Sequence, residues 1–198
     1  MSSLGRRWNC DPTTIKNILK VYGYQGRSLS SARRNFLGYT LNEDIFETID
    51  APEKAYWLGV IYSDGYISKI NKYTNYLGIS VAERDLEWIK KFKNFLNYNG
   101  EIKHYTTSKN AYTLGSKYVR LLIGNNKLVS DLERLGVVEQ KTKKIKAIPD
   151  IPYKDDFIRG YIDGDGALTK RSPHIIISGN KEMLLDIAAY FKLPFHLY

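Results

Sequence analysis

The chain has 198 residues, 43% of them hydrophobic, enough for one large buried core or two small ones. Its 30 Lys and Arg outweigh 21 Asp and Glu, and the net charge of +9 favours a polyanionic partner. One cysteine, Cys10, excludes an internal disulfide and a cysteine-based zinc site, the apolar runs are too short to span a bilayer, and no secretory leader opens the chain; the expectation is a soluble, intracellular protein.

Residues 1–40 read as a basic leader and linker. Arg6, Arg7, Lys16, Lys20, Arg27, Arg33 and Arg34 face only Asp11 there. Asp11-Pro12 opens a helix, the acid as cap and proline in the first turn. Ile15, Ile18, Leu19 and Tyr22 recur at helical spacing, and Gly23 closes the helix. With a short helix before Asn9, this makes either a helix-turn-helix or a small basic helical arm. Residues 28–35, with Arg33-Arg34, read as a linker able to follow a phosphate backbone or a minor groove.

Residues 53–136 form the first large unit. The patterning predicts a helix over 53–64, strands over 65–70 and 76–81, and an amphipathic helix over 83–98. Leu86, Ile89, Phe92, Phe95 and Leu96 lie on its apolar side. Strands over 101–107 and 118–123 and a helix over 125–135 complete the unit, with Gly136 as its stop. Residues 137–153 are a connector rich in lysine and proline. The pattern then restarts over 154–198: a helix over 154–163, strands over 167–170 and 174–178, and a helix over 181–191. On this count the second unit lacks its last two strands and final helix.

The most informative feature is a repeat. Trp57-Leu58-Gly59-Val60-Ile61-Tyr62-Ser63-Asp64-Gly65 and Ile158-Arg159-Gly160-Tyr161-Ile162-Asp163-Gly164-Asp165-Gly166 place small residues and an acid in matching slots, 101 positions apart. Residues four apart share a helix face, so Gly59 and Ser63, and likewise Gly160 and Gly164, form stripes that let two helices approach closely. Glycine inside a helix costs roughly 1 kcal/mol against alanine, and that close contact is the reason to tolerate it. If the helices pack side by side and parallel, Asp64 and Asp165 meet at one end. Two like charges at two negative helix termini repel; a divalent cation between them removes the problem, and hard oxygen ligands point to magnesium (or manganese). A lone Ser-Asp-Gly would merely turn a helix into a strand; two copies in matched contexts argue for more. The run Asp163-Gly164-Asp165-Gly166 is not a calcium loop, since Leu168 and His174 stand where glycine and glutamate belong.

On these motifs the chain resembles the LAGLIDADG homing endonuclease family in its single-chain, two-motif form. The resemblance covers roughly residues 53–198 and rests on "EKAYWLGVIYSDGYIS" and "DDFIRGYIDGDGALTK". The segment "LERLGVVEQKTKKIKAIP" looks like the family's connector, and the leader is similar to that of phage-borne relatives. It implies an α+β fold: two pseudo-symmetric αββαββα halves, the second incomplete, with the motif helices at their interface. Each half offers an antiparallel sheet to the DNA major groove, with a small helical DNA-binding segment in front. Asp64 and Asp165 match the metal-binding acids, and Lys141 matches a basic residue near the attacking water. Tyr62 departs from the family, which has an acid there; Asp163 keeps it. Lys16, Lys20, Arg27, Arg33, Arg34, Lys69, Lys170 and Arg171 are the candidate DNA contacts. The implied activity is site-specific, magnesium-dependent double-strand cleavage by a phage- or intron-encoded monomer, or by a chain completed by a complementing C-terminal fragment. The alternative is a non-catalytic nucleic-acid binder on the same scaffold, an intron maturase or a DNA-binding regulator; paired acids favour cleavage.

Overall fold

The structure is a computed structural model that describes residues 7, 9–24, 38–69, 74–107, 115–139, 147–169 and 174–192. The chain divides into two compact units, Met1–Tyr39 and Thr40–Tyr198.

In the first unit the described residues hold one complete helix, α1 (Pro12–Val21). Asp11 caps it, its carboxylate accepting from the Thr13 amide at 2.7 Å. Gly23, at φ +77, lets the Gly23 and Tyr24 amides fold back onto the carbonyls of Lys20 and Leu19. Arg7 is helical, and the rest of the first helix expected for a helix-turn-helix lies outside the described residues.

The second unit is a mixed α+β fold with antiparallel sheets. Helix α2 (Pro52–Ser63) leads into β1 (Gly65–Ser68) and β2 (Tyr76–Ala82). A 3-10 turn over Glu83–Asp85 precedes α3 (Leu86–Phe95), and then come β3 (Ile102–Thr106), β4 (Lys117–Gly124) and α4 (Asn126–Arg134). The single helix expected over 83–98 is therefore shorter, because Leu86 is the first residue whose apolar spacing can be buried while Glu83 is drawn to His104 and Lys117 on the sheet. The strands order β1-β2-β4-β3. Their alternation sends Ile67, Leu77, Ile79, Leu121 and Ile123 to the core and Tyr66, Ser80, Tyr105, Tyr118 and Arg120 to the other face. Asn125 caps α4, accepting from the Leu128 amide at 2.7 Å and donating to Glu43 at 2.8 Å.

Residues 41–52, given no element by the sequence, pack into the core through Ile45, Phe46 and Ile49. Arg134 ties this segment to α4 by donating to the Glu47 carbonyl at 2.6 Å. Past the connector come α5 (Lys154–Asp165), β5 (Gly166–Leu168), β6 (Ile175–Ile177) and α6 (Lys181–Phe191). Helix α5 runs two residues beyond the expected Asp163, glycine at 164 notwithstanding, because that glycine sits in the helix contact described below. The β5–β6 register sets Gly166 opposite Ile177 as β1–β2 sets Gly65 opposite Ile79. The repeat thus extends from motif to hairpin. Ile175 is 58% exposed where its counterpart Leu77 is 1% exposed beside Ile123 of β4. Phe157, Ile158, Tyr161, Met183 and Ile187 join the residues of the first half in one core.

Candidate active site

Helices α2 and α5 pack against each other along the motif stripes. A methyl group on Gly59 would collide with the backbone carbonyl of Phe157, and one on Gly160 with that of Tyr56. Tyr56 and Phe157 are themselves 101 positions apart, so the two contacts are one contact seen from both sides of a pseudo-twofold axis. The axis passes between Ser63 and Gly164, which share a motif slot: a methyl on Gly164 would meet the Ser63 hydroxyl oxygen. From the contacts 56–160 to 63–164 both helices advance in the same direction, so they run parallel and their C-terminal ends coincide.

That end carries the motif acids. Asp64 is the C-cap of α2, its amide donating to the Val60 carbonyl at 2.9 Å. Asp165 is the last residue of α5, and its carbonyl accepts from the Ser178 amide at 2.9 Å, which ties the acid to the loop after β6. The Asp64 Oδ2 lies 2.6 Å from where a Cβ on Gly164 would stand, so only glycine there lets this carboxylate reach over the helix that bears Asp165. Both acids are half-buried. Two carboxylates at two negative helix ends concentrate negative potential. Among the described residues no group of three or more His, Cys, Asp or Glu gathers to hold a metal. This donor set suits magnesium, which keeps several waters and takes one or two protein carboxylates beside substrate phosphate.

The shell around the acids is asymmetric. Tyr161 donates to the Ser178 carbonyl at 3.4 Å, and burial, helped by the charge of Asp165, pushes its hydroxyl up to about 12. Tyr62, in the slot of Asp163, donates to the Leu135 carbonyl and packs edge-on against Phe157 at 4.9 Å. Burial pushes the Tyr62 hydroxyl well above its ordinary range. Asp163, by contrast, accepts from Tyr56 at 2.9 Å on the exposed side.

Of the expected DNA contacts, Lys16 and Lys20 are exposed one turn apart on α1. Lys69 is paired with Glu133 at 2.7 Å, a hydrogen bond that raises its pKa. Lys141, Arg27, Arg33, Arg34, Lys170 and Arg171 lie outside the described residues.

The sheet face away from the core holds side chains that the motifs did not single out. Tyr105 and Tyr118 stack at 5.2 Å across β3 and β4, and Arg120 lies 5.1 and 5.7 Å from their ring centres. Lys103 stands directly opposite Arg120. The rings of Tyr66 and Tyr76 lie over Gly78 and Gly124, where any Cβ would strike them. The excess of 16 Tyr over 7 Phe is the sequence signal for such a half-wet face.

Residues 51–136 match the LAGLIDADG-like domain. No curated protein matches the sequence. Among solved structures, the chain is similar to the LAGLIDADG meganuclease I-CpaMI bound to uncleaved DNA, at 12% identity over 72% of each chain, TM-score 0.40. It is also similar to the meganuclease I-SmaMI bound to uncleavable DNA, at 14% identity over 71% of this chain and 73% of that one, TM-score 0.41. A third is the LAGLIDADG homing endonuclease I-LtrWI bound to target DNA, at 12% identity over 68% and 65%, TM-score 0.37.

Proposed function

We propose that the chain is a site-specific DNA endonuclease that cuts both strands of a duplex with a divalent cation, magnesium or manganese, held by Asp64 and Asp165. The observation that carries this reading is the reciprocal glycine packing, which brings the C-termini of the two motif helices, and with them the two repeated acids, to one end of the helix pair. The match of residues 51–136 to the LAGLIDADG-like domain supports the same family of activity. A bound cation would supply activated water and charge neutralisation at the phosphate. The protein's own task is to hold the duplex so that a phosphate faces Asp64 and Asp165. The outer face of the β1-β2-β4-β3 sheet, with its tyrosines, Lys103 and Arg120, is the surface suited to that, and the leader adds phosphate contacts through Lys16, Lys20, Arg27, Arg33 and Arg34. On the resemblance to the family, Lys141 serves as the basic group near the attacking water, and Lys170 and Arg171 add phosphate contacts in the second half.

The test is cleavage of a plasmid library with randomised duplex inserts, with magnesium and with a chelator. Linear product carrying one enriched sequence, in magnesium alone, is the expected result. Cleavage in the chelator would overturn the metal assignment, and sequence-selective retention without cleavage would favour a DNA-binding regulator on this scaffold.

A further inference from the structure

Several cations in this structure are already engaged. Arg84, Arg134 and Arg159 each lie within 3.6 Å of a carboxylate, and Lys69 and Lys127 are paired as well. Arg120 differs. Among the described residues no carboxylate pairs with it. Its Nε donates to Ser80 Oγ at 3.0 Å, and its guanidinium lies beside two stacked tyrosine rings. A hydroxyl and two π faces restrain the fork without cancelling its charge. With Nε committed to Ser80, the two terminal amino groups are the donors left for a ligand.

Position decides between the two acceptors that DNA offers. Arg120 lies on an interior strand, flanked by Ser80 of β2 on one side and Lys103 of β3 on the other. On the DNA-binding reading, with the major groove of the duplex against this face, the rim of the sheet meets phosphates and its centre meets base edges. A restrained planar fork with two donors matches the O6 and N7 acceptors of guanine, and no other base presents two acceptors side by side in that groove.

We infer that Arg120, oriented by Ser80 and by Tyr105 and Tyr118, determines specificity by reading one guanine of the target duplex. This rests on the DNA-binding reading above. It is tested by selecting duplexes from a randomised library, in chelator so that none are cut, with the full chain and with its Arg120→Lys, Arg120→Ala and Ser80→Ala variants. Thermal melting of each variant runs alongside.

The wild-type chain is expected to enrich a site with one G·C pair whose preference falls about tenfold or more in Arg120→Lys and Arg120→Ala. Preferences elsewhere in the site stay in place. Arg120→Lys keeps its charge and so loses less affinity for random DNA than Arg120→Ala, and Ser80→Ala weakens the same position by less. Unchanged preference at every position in Arg120→Lys would overturn the inference, and so would an equal loss at all positions, which marks a phosphate contact. A wild-type chain that enriches no sequence would instead bring down the DNA-binding reading and this inference with it, an outcome distinct from the other two.

Discussion

Tyr56 donates its hydroxyl to Asp163 across the motif helices at 2.9 Å, while Phe157 and Tyr62, the same two slots one repeat away, meet as ring edge on ring face at 4.9 Å. The pseudo-symmetry therefore holds for the backbone and breaks in the side chains. A hydrogen-bonded polar pair on one side is replaced by an apolar pair on the other. Tyr62 stands in the slot of Asp163 without leaving a gap, because its own hydroxyl donates to the Leu135 carbonyl and its partner Phe157 has no hydroxyl to satisfy. Asp163→Ala should thus lower stability by about 1 kcal/mol, the net worth of one half-exposed hydrogen bond. DNA cleavage measured well below the melting temperature should be unchanged, because Asp163 lies on the side of the helix pair that contacts Tyr56. Loss of cleavage in a folded Asp163→Ala variant would give this acid a role in the chemistry.

Gly59 and Gly160 should not tolerate even alanine. The group struck in each case is a backbone carbonyl of the opposite helix, which cannot rotate aside. Gly59→Ala and Gly160→Ala should each cost about 2 kcal/mol or more by overpacking, set against the modest gain in helix propensity. Urea denaturation measures this; a midpoint at or above that of the wild type in both would contradict the close packing of α2 on α5.

The motif helices and the first hairpins are legible in the sequence because small residues and acids recur in fixed slots. The cap at Asp11 marks its helix directly. Residues 41–52 are not legible in the same way. Ile45, Phe46 and Ile49 stand at i, i+1 and i+4, a spacing too short to predict an element, and the fold makes turns there and buries them by tertiary packing, with Phe46 against Phe95 of α3 at 5.9 Å. The sheet face around Arg120 is hidden for another reason. Alternation along β4 tells that Arg120 and Tyr118 share a face, but the pairing with β3 that adds Tyr105 and Lys103 joins residues 13 to 17 positions apart, and no periodicity gives its register. The pairing of Lys69 with Glu133 is likewise hidden from the sequence, since it joins residues 64 positions apart.

Tyr161 should make the fold sensitive to alkali. Its hydroxyl is raised from the ordinary tyrosine value near 10 to about 12 in the folded chain. The folded state holds the proton longer than the unfolded state, so this contribution is complete below pH 10 and is lost as pH rises toward and through 12. Tyr161→Phe removes the titration, and its melting temperature should fall less steeply across that window. Tyr62, shifted in the same direction by burial, keeps a residual slope. Equal slopes in the variant and the wild type would show that Tyr161 is not held neutral by the fold.

Lys16 and Lys20 present two charges from one face of α1. If they contact phosphate, Lys16→Ala combined with Lys20→Ala should weaken binding alike on all sequences. The slope of log affinity against log salt should become shallower by roughly 0.9 for each phosphate that a lysine no longer neutralises. A slope equal to that of the wild type would remove α1 from the DNA interface.

The most direct test is of Asp64 and Asp165. On a selected target in magnesium, Asp64→Asn and Asp165→Asn should each reduce cleavage to background while retention of the same duplex stays within a few-fold of the wild type, since phosphate contacts elsewhere persist. Substantial cleavage by either variant, or a fall in DNA binding that tracks the fall in cleavage, would contradict a metal held between these two carboxylates.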